Sequence, residues 1–268
     1  MVAAMTSESW EHIPHAVFTY EAHVETLLAV LKEHPEHITV NTAMLKLIAE
    51  SLQAAPTMNG HIHYRRRLVS GEITLLPHVD ASVPVKFPGG FMITVTLRNL
   101  EEKTMTEIGA DMTDILRRAA LTNMEEVMYD VSIHNTLQEV TYLRLFKALG
   151  RLIGALVDRK RLRTLSAKER KVYRQIPENE RLTRRDLEPG TITVTNLGSL
   201  YREWNGTCTL LEIIPPQLCA IALNAIRDGV LPLTIAFDHR ALDADDIFPF
   251  MRRMDELLSS PEMLRSLI

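Results

Sequence analysis

The chain has 268 residues, of which 46% are hydrophobic and 24% charged, with a formal net charge of −4. That composition suits a globular chain able to bury a sizeable core without staples, as one large domain or two small ones. The pI of about 6.2 leaves no basic footprint for nucleic acid, and no apolar run of 18 residues is present to span a membrane.

The first residues, MVAAMTSESWEHIPH, lack a basic stretch followed by an apolar one, so no secretion signal is read and a cytoplasmic location is expected. Residues 22–33 place Val24, Leu27, Leu28 and Leu31 on one helical face, and 41–54 do the same with Met44, Leu45, Leu47, Ile48 and Leu52 before the stop at Pro56. Short strand-like segments follow at 61–67, 72–76, 79–85 and 91–97, punctuated by Pro77, Pro84, Pro88, Gly89 and Gly90. His61 and His63 alternate on the first of these. Without a third ligand in view they read as surface histidines, and no metal site is expected. Helical spacing returns over 103–118.

The middle has another character. Residues 142–157 predict an amphipathic helix, and Arg159 to Arg174 hold eight Lys or Arg against one Glu. The span 119–181 is therefore expected to be a helical, basic insert within a single domain covering 1–268. Its helix and basic run raise peripheral contact with an anionic membrane as one reading; packing on the core or on another subunit is the favoured one. Strand-like segments resume at 191–196, 207–214, 217–226 and 231–237, and a helix over 244–258 closes the chain. The pattern is mixed α/β. Cys208 and Cys219 have neither CxxC nor zinc spacing and read as reduced thiols, and the Asn205-Gly206-Thr207 sequon as chance.

The stretch carrying chemistry is Phe237-Asp238-His239-Arg240-Ala241-Leu242-Asp243. A histidine at the end of an apolar strand, just before a helix, sits on a rigid edge, and imidazole titrates where it can take a proton from a thiol near neutral pH. Asp243 falls at the helix start, where a carboxylate is favoured. On spacing alone a structural histidine is the favoured reading.

DHRALDA resembles the DHRxxDG signature of the 2-oxoacid dehydrogenase (dihydrolipoyl) acyltransferase catalytic domains, relatives of chloramphenicol acetyltransferase. Gly190 to Gly198 (GTITVTNLG) is similar to the family's GTFTISNLG, Ile213 to Gln217 (IIPPQ) to its IINPPQ, and MTSESW with IPH at 13–15 to its entry segment. Val79 to Asn99 is a weaker match to its paired central strands. The likeness covers roughly 1–118 and 182–268, in order. It implies a chloramphenicol acetyltransferase-like fold, a mixed sheet flanked by helices. It implies His239 as the general base that deprotonates CoA or dihydrolipoamide, Thr195 as the hydroxyl donor to the oxyanion, and an ion-paired Asp243 as structural support. It further implies acyl-CoA as substrate and a homotrimer, or a higher assembly, whose site lies between subunits.

Three departures stand out. Ala244 replaces the motif glycine. The chain reads as a stand-alone catalytic domain without lipoyl or subunit-binding domains, so no covalent lipoyl group is expected on it. The insert stands where the family has a short helix and turn. Beside the acyltransferase reading, a catalytically inactive scaffold with the same fold remains the alternative.

Overall fold

The computed structural model describes residues 2–65, 68–87, 92–141, 165–200 and 206–268. Its contacts divide the chain into two compact units, one of Met1–Lys86, Gly90–Met112 and Pro189–Ile268, the other of Phe87–Gly89 and Thr113–Glu188.

The first unit is built on a six-stranded mixed sheet. In chain order its strands are β1 (His15–His23), β4 (Ala81–Lys86), β5 (Met92–Leu97), β6 (Ile192–Asn196), β7 (Cys219–Leu223) and β8 (Val230–Asp238), while β2 (Gly60–Arg65) and β3 (Ser70–Leu75) form a separate antiparallel hairpin. The spatial order is β1-β8-β7-β6-β4-β5. β6 runs parallel to both β7 and β4; the remaining pairings are antiparallel.

Side chains alternate across a sheet with a period of two, so the register sorts the two faces. One carries Val95, Val83, Val194, Ile221 and Ile235, all buried. The other carries Thr96, Ser82, Thr193 and Thr195, then Ala220, Ala222, Thr234 and Ala236. The first is a core face. The second is lined with small and hydroxyl side chains and is covered in part by Ile13 and Ile213, which cluster with Ala220 and Ala236.

Of the helices, α1 spans Val2–His12, α2 Glu25–Glu33 and α3 Val40–Ala54. α3 buries ten residues and starts on Thr39, whose side chain accepts the Thr42 N–H. It also buries Lys46, whose ammonium donates to the Glu101 carbonyl at 2.8 Å and pairs with Glu50 at 2.7 Å.

The second unit takes in the end of α4 (Met105–Ala120), α5 (Met124–Thr141), α6 (Ala167–Tyr173) and α7 (Arg184–Leu187). Ion pairs tie these pieces together: Arg118 to Asp114 at 2.7 Å and to Asp186 at 3.0 Å, and Arg170 to the buried Glu126 at 2.9 Å. Arg170, one of the eight cations of the basic run, is therefore engaged within this unit. The expected helix 142–157 and the start of the basic run, 159–164, lie outside the described residues. No helix among the described residues is long and apolar enough to cross a membrane.

One element is added and one expectation is corrected. Residues 15–23 form a strand to which no expectation was assigned, with Ala16, Phe18, Tyr20 and Ala22 alternating with His15, Thr19, Glu21 and His23; its last two residues take the start of the helix expected over 22–33. Residues 207–214 are not a strand: they cross the small-residue face as an irregular segment, held where the Thr234 hydroxyl donates to the Cys208 carbonyl and Ser9 donates to the Ile213 carbonyl at 2.7 Å.

Candidate active site

Three sequence-remote segments meet at the end of β8. The Asp238 N–H donates to the Leu218 carbonyl at 2.9 Å, and the His239 N–H to the Pro14 carbonyl at 3.0 Å. Pro14 is itself fixed, since His15 of β1 accepts the Ile213 N–H on its Nε2 at 3.2 Å and donates from Nδ1 to the Ile13 carbonyl at 2.8 Å. The segments MTSESW…IPH, IIPPQ and DHR are thus parts of one support for the backbone of His239. After it the chain turns, with Ala241 and Leu242 donating to the Asp238 carbonyl. Asp243 then caps α8 (Ala244–Ser259).

His239 is exposed, at the rim of a buried strand. Its Nδ1 lies 2.9 Å from the Leu242 carbonyl oxygen. A carbonyl only accepts, so Nδ1 carries the proton and Nε2 keeps its lone pair. The Phe237 ring meets the imidazole edge-on at 5.8 Å. The tautomer and the ring plane are therefore both set, which is what a general base requires.

Beneath it lies a charged pair that the sequence reading left unassigned. Asp238 is fully buried, and its carboxylate accepts the Arg240 backbone N–H at 3.0 Å and the guanidinium Nε at 2.9 and 3.1 Å. Arg240, 21% exposed, also places its guanidinium 5.4 Å from the centre of the Tyr64 ring. A carboxylate closing an apolar strand, with an arginine two residues on, was the available signal: a buried charge needs a partner.

Asp243 differs from expectation. It is exposed, and among the described residues it makes no ion pair. Its carboxylate accepts the Asp245 N–H at 2.9 Å, while Asp246 accepts the Asp243 N–H at 2.9 Å, a reciprocal cap on the helix. The ion pair expected at Asp243 is made instead by Asp238 and Arg240.

Thr195 lies in β6 and is 5% exposed, and the described residues offer its hydroxyl no hydrogen-bond partner. Its strand is anchored by Gln217, whose side chain accepts from Thr193 at 2.7 Å and donates to the Gly190 carbonyl at 2.8 Å. The motif glycines have steric reasons: a Cβ on Gly190 would lie 2.2 Å from the Asp80 carbonyl oxygen, and one on Gly198 2.7 Å from that of Asn224.

The structure does not bring His239 and Thr195 together within one chain. Thr195 is level with Ala222, and Ala222 with Thr234. His239 lies five residues further along β8, two strands away, so the two Cα atoms are separated by about 20 Å at strand spacings. They occupy opposite ends of the sheet. At the Thr195 end a cleft of about 930 Å³ is lined by Lys32, His34, His37, Asn41, Asn196 and Ser199, among others. Asn196 bonds Asn41 of α3, so by alternation the Thr195 side chain points to the other face.

Burial beside Asp238 pushes the Cys219 thiol far up, so it stays protonated and is no nucleophile. Burial lowers the pKa of His61. Among the described residues, a grouping with metal-ligand spacing is His78, Glu101 and Glu102. There His78 pairs with Glu101 at 2.7 Å, and Glu101 also accepts the Val79 N–H, which makes it an ion-paired corner.

Comparison with known proteins adds the following. The family model for 2-oxoacid dehydrogenases acyltransferase (catalytic domain) matches residues 1–129 and 155–265. The chain is 21% identical over 281 residues to the dihydrolipoyllysine-residue acetyltransferase component of pyruvate dehydrogenase complex of Zymomonas mobilis, covering 97% of this chain and 48% of that protein. The chain thus spans about half the length of this curated relative. A probable dihydrolipoamide acetyltransferase from Listeria monocytogenes superposes with a TM-score of 0.60 at 17% identity, covering 98% of this chain and 90% of that one. A truncated catalytic core of the 2-oxoacid dehydrogenase multienzyme complex from Thermoplasma acidophilum gives 0.61 at 16% identity, covering 97% and 94%. These structures share the fold.

Proposed function

This chain belongs to the 2-oxoacid dehydrogenase acyltransferase family, matched through the catalytic domain, and from that premise we propose that it moves an acyl group between a CoA thioester and a thiol, with dihydrolipoamide as the acceptor class. The observation that carries this reading is the imidazole of His239, whose Nδ1 proton is held by the Leu242 carbonyl and whose Nε2 is left to accept. In the proposed step Nε2 takes the thiol proton and the thiolate attacks the thioester carbonyl. A tetrahedral oxyanion forms and then collapses, the old C–S bond breaks, and His239 returns the proton to the departing thiolate. Thr195 donates its hydroxyl to the oxyanion.

Because one chain holds these two residues about 20 Å apart, the complete site is proposed to form between copies, His239 from one and Thr195 from the next, in a homotrimer. The cleft beside Asn196 lies on the other face from the Thr195 hydroxyl, so it is not assigned to the reacting thioester.

The test is release of free thiol from acetyl-CoA in the presence of dihydrolipoamide and a panel of small acceptors. His239→Ala should slow transfer by roughly two to four orders of magnitude. Near-native turnover in that variant would remove His239 from the mechanism. Background rates in the wild type across the whole panel would favour the inactive scaffold.

A further inference from the structure

We propose that Tyr64, on the β2–β3 hairpin, is a positioning residue for His239, acting through Arg240 and Asp238; this rests on the reading of His239 as the general base. The support of His239 has two halves. The backbone half is made by Pro14, Leu218 and the turn of residues 239–242. The side-chain half is the Asp238–Arg240 pair, in which a fully buried carboxylate is satisfied by an arginine only two residues away. That pair spans the residue it serves: His239 sits between its two members, so the guanidinium and the carboxylate together fix the backbone on both sides of the imidazole.

An arginine this close has other rotamers, since 21% of its side chain is exposed and water competes for its donors. What opposes them is the Tyr64 ring, 5.4 Å from the guanidinium carbon, within the range where an aromatic face attracts a cation. The hairpin places it there. Gly60, Ile62 and Tyr64 share one side of β2 by alternation. Ile62 on that side is buried, and its N–H donates to the Pro216 carbonyl at 2.9 Å. The same side, carried two residues outward, brings the ring over Arg240. His61 and His63 take the opposite side. Tyr64 itself is 41% exposed, so its ring is not there to fill the core. β3, the other strand of the hairpin, is exposed along its whole length, and its Gly71, paired with Tyr64, lies against the ring.

The consequence is specific. Losing the ring frees Arg240 to leave Asp238 part of the time, the backbone flanking His239 loosens, and the imidazole spends less time with Nδ1 on the Leu242 carbonyl. A positioning role predicts that the chemical step slows while KM is unchanged.

Tyr64→Ala and Tyr64→Phe would be compared with the wild type in two ways. Steady-state acyl transfer from acetyl-CoA to dihydrolipoamide gives kcat and KM. Nitrogen-15 spectra of histidine-labelled protein, with the His239 signal assigned by its loss in His239→Asn, give the tautomer directly. The expected result for Tyr64→Ala is a fall in kcat of about three- to tenfold with KM unchanged, together with a loss of the single Nδ1–H tautomer of His239. Tyr64→Phe keeps the aromatic face and should match the wild type in both readouts. The proposal is overturned if Tyr64→Ala leaves the His239 spectrum unchanged, or if Tyr64→Phe is as impaired as Tyr64→Ala. Should the wild type transfer no acyl group at all, the general-base reading fails, and the spectrum still decides whether Tyr64 holds His239.

Discussion

Replacing Arg240 with Met should destabilise the protein far more than replacing its partner. Asp238 is fully buried, and the Arg240 guanidinium meets both oxygens of its carboxylate. Methionine fills the arginine stem but leaves the carboxylate with a backbone N–H as its remaining donor. Breaking a buried pair in this way costs about 3–5 kcal/mol, and the partial exposure of Arg240 puts the expected loss near the lower end, about 3 kcal/mol. For a chain of this size that corresponds to a fall in Tm of roughly 6–12 °C. Asp238→Asn should cost less, because the stranded cation is on the side that reaches water and Asn keeps an oxygen for the Arg240 N–H. The double variant Asp238→Asn/Arg240→Met removes both charges and should recover most of the loss seen in Arg240→Met alone. Scanning calorimetry of the four proteins completes the cycle. A single Arg240→Met that melts within about 2 °C of wild type, or costs that simply add in the double variant, would refute the claim that the pair is a coupled, buried unit.

Thr195→Ala should slow transfer by about ten- to a thousandfold while Thr195→Ser stays mild, since serine keeps the donor and the loss of one oxyanion donor costs up to about 4 kcal/mol of transition-state stabilisation; equal impairment of the two, read from kcat/KM, would make the methyl group the part that matters. Asp243→Ala should cost about 1 kcal/mol, the worth of a helix N-cap, and Asp243→Asn almost nothing; a denaturation midpoint shifted by several times that amount would restore Asp243 to the ion-paired role that its exposure argues against.

Much of this architecture was legible before any coordinate. The helical spacing of Met44, Leu45, Leu47, Ile48 and Leu52 marked α3, and the strands at 191–196 and 231–237 stood out because they are buried on both faces. His239 was legible because a polar residue closes an apolar strand. β1 was missed although Ala16, Phe18, Tyr20 and Ala22 alternate with polar neighbours, because Val17 breaks the pattern and two of its four inward positions are small alanines. The segment 207–214 misled for the converse reason. Leu211 and Ile213 pack on the small-residue face through their side chains while the backbone of the segment bonds to side chains and turns rather than to a neighbouring strand. The ion pair expected of Asp243 is not found among the described residues, because a carboxylate four residues after the histidine suits a cap and an ion pair equally well; only its exposure and its bonds to Asp245 and Asp246 separate them. Tyr64 carries no sequence signal toward Arg240, because the contact depends on how the hairpin docks.

The placement of the two candidate catalytic residues is a matter of strand direction, and it leads to the sharpest test of the assembled site. β6 and β7 run parallel and β8 antiparallel to them, so residues that close β6 and β8 must lie at opposite ends of the sheet whatever the loops do. If His239 and Thr195 act on one thioester, they come from different copies, as a cyclic oligomer permits. His239→Ala and Thr195→Ala proteins, each impaired alone, should then complement one another when unfolded together and reassembled. In a randomly mixed trimer of equal parts, a boundary is intact when the copy giving its histidine is the Thr195→Ala chain and the copy giving its threonine is the His239→Ala chain, which holds for about one boundary in four. Recovered activity should therefore approach about a quarter of the wild-type rate per chain, and each variant reassembled by itself should recover none. A mixture no more active than the sum of its parts, from chains shown by sedimentation to form mixed oligomers, would mean that the two residues do not share a site, and the hydroxyl that meets the oxyanion would have to be sought at the His239 end of the same chain.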